Sequence, residues 1–262
     1  MRHLYITLIL LALMACSKNI VPEQQASVVT YELSAGVEME IKSAQTQDIS
    51  ANIVWYGVFH KNNDGTYTYM SDMSSFVKIE DPNSIIVPIT LITGQQYRIA
   101  FVAQYKDLEQ EKYTYLINGD GEMYLNSPNS LTLDGSKLDV YTYCDEITTV
   151  SQVPKKKFSL TRPVAQINIG TSAQPNSEYT IGFSNVPVKY NLFNGTFSSD
   201  VHTLTLTGAP YGGEMEVNGV TYNHLSKFYV FGGNTHICSI NRQEITEAKS
   251  APNHKTNIAG NL

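Results

Sequence analysis

No basic run in this chain of 262 residues is longer than Lys155-Lys156-Lys157, and 18 Lys and Arg stand against 24 Asp and Glu for a net charge of −6. A groove that tracks phosphates needs clustered cations, so nucleic acid is excluded as an expected partner. Cysteine is scarce, three residues in all, which is too few for a disulfide framework in a chain of this length. Glycine and proline number 17 and 10, without collagen period or linker bias. Beyond residue 15 no apolar stretch approaches the roughly 20 residues that cross a bilayer. Catalytic and cofactor signatures are missing too. His3, His60, His202, His224, His236 and His254 are scattered, and HExxH, GxSxG, Walker, CxxC and GxGxxG patterns are absent. The expectation is a non-enzymatic protein with no cofactor and no metal.

What is present points to β-structure. Hydrophobic residues make up 42%, with 17 Tyr and 9 Phe, while charged residues make up only 16%, a composition suited to half-buried pleated surfaces. Period-two alternation recurs at Tyr97, Ile99, Phe101, Ala103 and Tyr105, at Val29, Tyr31 and Leu33, at Ala165, Ile167 and Ile169, and at Leu204 and Leu206. The run Ile53-Val54-Trp55-Tyr56-Gly57-Val58-Phe59 is apolar on both faces and predicts a central strand. Asn218-Gly219, Asn194-Gly195, Asp64-Gly65 and Asn118-Gly119-Asp120-Gly121 supply residues that accept positive φ, and predict hairpin turns. Helical periodicity is limited to short pieces at residues 106–112 and 244–249. The expected class is all-β, with β-sandwich (transthyretin-like or Greek-key) domains and short helical inserts.

The amino terminus carries its own message. A short basic start (Arg2, His3), an apolar stretch over residues 4–14 and the small Ala15 precede Cys16, the order of a signal peptide. Leu13-Met14-Ala15-Cys16 resembles the lipobox of bacterial lipoproteins, which makes Cys16 the expected acylated residue. Several acyl chains, at about 0.8 kcal/mol per buried methylene, would hold the protein in a membrane. The expected organisation is a signal peptide over residues 1–15 and a lipidated tether over 16–26. An N-terminal β-sandwich domain follows over 27–175, then a C-terminal β-rich domain over 176–262 that is either truncated or continuous with the first. Residues 171–178, polar and carrying Pro175, are the expected hinge. Cys144 and Cys238 are left either as a disulfide or as two buried thiols.

Three further features have bland readings beside sharper ones. Asn62-Asn63-Asp64-Gly65 and Asn118-Gly119-Asp120-Gly121-Glu122 offer calcium-type oxygens, but lack the EF-hand spacing and sit where hairpins must turn. Trp55, Tyr113, Tyr115, Tyr124 and Tyr222 suit a sugar-stacking platform, or else core and cross-strand pairs. The three lysines at 155–157 read as a solvated connection or an edge guard.

The mature chain resembles the fimbrillin (FimA-like) family of Bacteroidota lipoproteins, the subunits of type V pili. The resemblance rests on Phe158-Ser159-Leu160-Thr161-Arg162-Pro163-Val164-Ala165-Gln166-Ile167-Asn168-Ile169-Gly170, on Gly94-Gln95-Gln96-Tyr97-Arg98-Ile99-Ala100-Phe101-Val102-Ala103-Gln104, and on Asn253-His254-Lys255-Thr256-Asn257-Ile258-Ala259-Gly260-Asn261-Leu262. It implies polymerisation by strand exchange after a protease releases lipid and first strand together. The exchangeable strand would be Val28-Val29-Thr30-Tyr31-Glu32-Leu33, and the cut would fall between Lys42 and Ser43, where the family usually has arginine. Relatives continue with further strands beyond the position of Leu262, so the expectation includes a truncated product, or a subunit that accepts a strand without passing one on. The implied partners are other fimbrial subunits, the outer membrane through the lipid, and host or bacterial surface ligands. The implied location is the cell outer membrane, or the fimbrium after processing. A surface glycan-binding lipoprotein is the alternative. A hydrolase built from His60 or His224 against carboxylates is a third reading.

Overall fold

The computed structural model describes residues 28–37, 50–128, 131–150 and 157–261. Cys16, Lys42, Ser43, the signal peptide and the tether lie outside them. Among the described residues 22 strands and one 3-10 turn (Ser136–Leu138) are formed, and no helix is long and apolar enough to cross a membrane.

The first sandwich has two layers. One is a three-stranded sheet with order β12 (Lys157–Leu160), β1 (Val28–Val37), β4 (Ile85–Ile92). The other has order β11 (Tyr141–Thr148), β5 (Gln96–Gln104), β2 (Ile53–Lys61), β3 (Tyr67–Lys78). Their facing rows form one core. Val54, Tyr56 and Val58 of β2 and Tyr97, Ile99 and Phe101 of β5 meet Val87, Ile89 and Leu91 of β4 and Phe158 and Leu160 of β12. The opposite row of the same β2–β5 pair, with Phe59, Ala100 and Val102, belongs to a second core. The expected two-sided strand is therefore found, covered on each face by a different layer. Gly57 is required within it, because a Cβ there would lie 2.1 Å from the Trp55 ring.

The second core fills a sandwich of two further sheets. One has order β10 (Leu131–Thr132), β17 (Val201–Gly208), β14 (Tyr179–Pro187), β20 (Thr235–Ile240), β21 (Gln243–Lys249). The other has order β18 (Glu214–Val217), β19 (Val220–Phe231), β13 (Val164–Thr171), β22 (Lys255–Gly260). Phe183 of β14 meets Phe228 of β19 edge-on, with ring centroids 5.4 Å apart. Between the two sandwiches lies a small sheet of β16 (Thr196–Phe197), β15 (Lys189–Asn191), β9 (Glu122–Leu125) and β8 (Tyr115–Ile117). Its aromatic neighbours tie the layers together, with Phe193 4.8 Å from Phe59 and Tyr115 5.7 Å from Phe231. A two-stranded hairpin, β6 (Lys106–Asp107) and β7 (Lys112–Tyr113), completes the fold.

Both expected helical inserts are strands. Residues 244–249 lie in β21, paired antiparallel with β20. A segment of under two turns cannot recover the cost of helix nucleation, whereas the ladder of β20 is available to it. Residues 106–112 form the β6–β7 hairpin, and Asp107 Oδ1 accepts from the N–H groups of Glu109 and Gln110, each at 3.0 Å, which closes a turn rather than a helix. The boundary expected at 175/176 falls in the β13–β14 loop, yet β13 pairs wholly with β19 and β22 of the later segment. β10 already pairs with β17 of the second sandwich before β11 and β12 return to the first, so strand pairing does not divide the chain at a single point.

Candidate functional site

The first strand is held in a slot. β4 alternates strictly, with Ile85, Val87, Ile89 and Leu91 buried and Ile86, Pro88 and Thr90 exposed. Against it β1 runs antiparallel over eight residues, from Val28 opposite Ile92 to Ala35 opposite Ile85. This register sets Val29, Tyr31 and Leu33 opposite the buried Leu91, Ile89 and Val87, and sets Thr30, Glu32 and Ser34 opposite the exposed row. On its other side β1 runs parallel to β12, from Ser34 opposite Lys157 to Val37 opposite Leu160. Residues 28–33 thus pair with β4 alone, residues 34–35 with both neighbours and residues 36–37 with β12 alone, and the strand extends four residues past the expected Leu33. Pro88 is tolerated because β4 is an edge strand, where a missing N–H costs no ladder bond. Lys157 is exposed at the start of β12, the other edge.

Behind this slot the two sandwiches are joined by a buried ion pair. Arg162, from the Arg-Pro segment between β12 and β13, donates from Nε to Asp139 Oδ1 at 2.8 Å and from Nη2 to Oδ2 at 2.9 Å. The Tyr141 hydroxyl also donates to Asp139 at 2.8 Å. The guanidinium lies 4.9 Å from the Tyr141 ring centre and 5.2 Å from that of Tyr229. Burial pushes the Asp139 carboxyl upward, against the pull of the guanidinium and the two hydrogen-bonded groups. Arg162 is therefore a structural clamp, and the motif that contains it marks the joint rather than a binding surface.

A second polar cluster lies on the face of β5 that also carries Ala100 and Val102, beside the second core. The Arg98 guanidinium stacks over Tyr67 at 4.3 Å and over Phe193 at 4.7 Å, and pairs with Glu146. Hydrogen bonds from Tyr67 and Arg98 hold the Glu146 carboxylate below its ordinary pKa.

The hydrolase reading gains no geometry. His60 Nε2 lies 3.0 Å from Gln95 Oε1 and His224 Nε2 lies 3.1 Å from the Ser226 carbonyl, so neither meets a carboxylate in these contacts. His236 is buried between the Ser184 carbonyl at 2.9 Å and Ser250 Oγ at 2.6 Å, stacked on Phe183. Among the described residues no group of three or more His, Cys, Asp and Glu side chains is placed to hold a metal. Asn118 Oδ1 instead accepts from the N–H groups of Asp120 and Glu122, at 3.0 and 2.9 Å, and Glu122 binds Lys189 at 2.7 Å. Those oxygens serve a turn and an ion pair. Cys144 and Cys238 are unbonded, and burial pushes the thiols up to about 12 and about 11.

The aromatic platform is not assembled. Tyr115 is buried and donates to the Leu138 carbonyl at 2.6 Å, Trp55 stacks on Tyr69, and Tyr124 and Tyr222 lie on different sheets. Tyr113 lines one cleft and Tyr115 a separate, smaller one. The Tyr113 cleft, of about 280 Å³, lies beside the β6–β7 hairpin and escaped the sequence reading. Its hairpin had looked helical, and Tyr105, Tyr113 and Lys137 come together only through pairing.

A family model covers residues 22–262. The chain belongs to DUF6562, a family of unknown function. No curated protein matches this DUF6562 chain. Among solved structures, it is similar to a candidate adhesin of Bacteroides thetaiotaomicron, with a TM-score of 0.51 at 10% identity over 85% of this chain and 80% of that one. It is also similar to a candidate polysaccharide-binding protein of the same species, with a TM-score of 0.50 at 12% identity over 84% and 80%. The fimbrial anchor protein Mfa2 of Porphyromonas gingivalis aligns with a TM-score of 0.47 at 12% identity over 88% and 91%. The neighbours of the DUF6562 chain are thus fimbrial and adhesin-like proteins of Bacteroidota. What the chain shares with the two Bacteroides thetaiotaomicron proteins is the fold.

Proposed function

We propose that this protein is a lipid-anchored, non-enzymatic fimbrillin-like component, a pilus subunit or pilus-associated adhesin, that assembles by exchange of β1. Cys16 carries the lipid that holds it at the outer membrane, and a cut between Lys42 and Ser43 frees the strand. Other fimbrial subunits are its partners. The observation that carries this reading is the seat of β1. The amino-terminal strand lies between antiparallel β4 and parallel β12, so withdrawing it strips backbone partners from two strands beside the apolar row of Val87, Ile89 and Leu91. Unpaired ladder groups beside an apolar row form a template for another strand. Refilling it restores the hydrogen bonds and the apolar burial together.

The test is native digestion with trypsin, with sequencing of the new amino terminus. A start at Ser43 with SDS-resistant oligomers is the expected result. A control ties β1 to β4 through Ser34→Cys and Ile86→Cys, which are register partners. Once oxidised it should be cut at the same bond and remain monomeric. Oligomers of equal yield from the tied variant would rule out exchange of β1.

A further inference from the structure

We propose that the cleft beside the β6–β7 hairpin binds a saccharide bearing a carboxylate. The inference deepens the adhesin half of the proposed function and rests on that reading for its surface setting, but not on exchange of β1. The cleft measures about 280 Å³, near the lower end of the roughly 300–1,000 Å³ of small-ligand sites, which suits one or two sugar rings. Tyr105 and Tyr113 line it with Leu125, Leu131 and Leu138 and with the exposed Lys112 and Lys137. Phenol rings beside polar groups match the amphipathic surface of a pyranose, which has C–H faces and a hydroxyl edge.

The walls are fixed in advance by half-buried polar contacts. Asn52 pairs with both backbone groups of Lys106, donating from Nδ2 to its carbonyl and accepting from its N–H, each at 2.8 Å. The buried Lys106 ammonium lies 4.2 Å from the Phe76 ring centre and 4.9 Å from that of Tyr113, and it pairs with Glu111. On the other wall Asn126 Nδ2 donates to the Tyr113 carbonyl at 2.9 Å. A hairpin held this way presents its side chains without reordering when a ligand arrives.

Charge selects the acidic sugar. Among the described residues neither Lys112 nor Lys137 takes part in an ion pair. Lys137 Nζ instead lies 4.4 Å from the centre of the Tyr105 ring. Asp107, the carboxylate of the lining, has Oδ1 engaged by two backbone N–H groups. Two available ammonium groups against one committed carboxylate favour an anionic substituent.

The test is calorimetric titration of the full chain with a uronic-acid oligosaccharide, its carboxyl-reduced neutral counterpart and an oligoglutamate of equal charge. The acidic saccharide should bind at least ten-fold more tightly than either control. The K112Q/K137Q double variant, at exposed positions and with its melting temperature as the check on folding, should lose about ten-fold. No binding of the acidic saccharide overturns the proposal, and so does equal affinity for the neutral saccharide or the oligoglutamate. Indifference to K112Q/K137Q overturns it as well. Any of these leaves the trypsin and tied-strand results as they were, so the two readings fail separately.

Discussion

Arg162 and Asp139 face each other across the joint between the sandwiches, with side chains 6% and 1% exposed. Each charge out of water is tolerable only because the other neutralises it, so removing one partner leaves the other stranded. Arg162→Met and Asp139→Asn should each lower stability by about 3–5 kcal/mol, read from urea unfolding followed at Trp55, the only tryptophan. A double replacement by apolar residues of similar volume should recover much of that loss, since the stranded charge is gone. The histidines set a pH dependence. Burial holds His202, His224 and His236 below their ordinary pKa. The unfolded chain then takes up protons at these sites before the folded one does. Their contribution is complete above about pH 6.5 and is lost as the pH falls below it. Melting temperature should drop from pH 7.5 to pH 5, and His236→Gln should show a shallower drop.

Among the elements, β4 gives the sharpest contrast. Leu91 is fully buried beside β1, whereas Ile86 is 60% exposed. Leu91→Ala should cost about 2–5 kcal/mol, and Ile86→Thr should stay within about 0.5 kcal/mol, both measured by chemical denaturation. Alternation made β1, β5 and β17 readable in advance, because period two survives where one face of a strand is apolar. The β18–β19 turn was equally legible, since Asn218 and Gly219 adopt φ of 53° and 79°, which few other residues accept. β21 was not legible: its segment, with Glu244, Glu247, Ala248 and Lys249, has helix formers at helical spacing, and the edge of β20 overrides them. Nor were the Arg162 clamp and the cleft. Asp139 lies 23 residues from its partner, and no local period announces a contact closed by sheet order.

At the scale of the whole molecule, the β2–β5 pair belongs to both cores, so neither sandwich has a private hydrophobic interior. Val58 faces the first core and its neighbour Phe59 faces the second. Val58→Ala and Phe59→Ala should therefore displace one common transition in scanning calorimetry. Two separable transitions, each moved by only one variant, would show the cores to be independent. Most of the pairing joins distant segments, such as β13 with β22, and non-local topology of this kind folds in milliseconds to seconds rather than microseconds.

The slot around β1 also reads direction. Its two walls run opposite ways, β4 antiparallel and β12 parallel to the occupant, so a strand entering backwards would mismatch the hydrogen-bond pattern of both at once. A polymer joined through such a seat would have a head unlike its tail, with the sense of growth set by strand order alone.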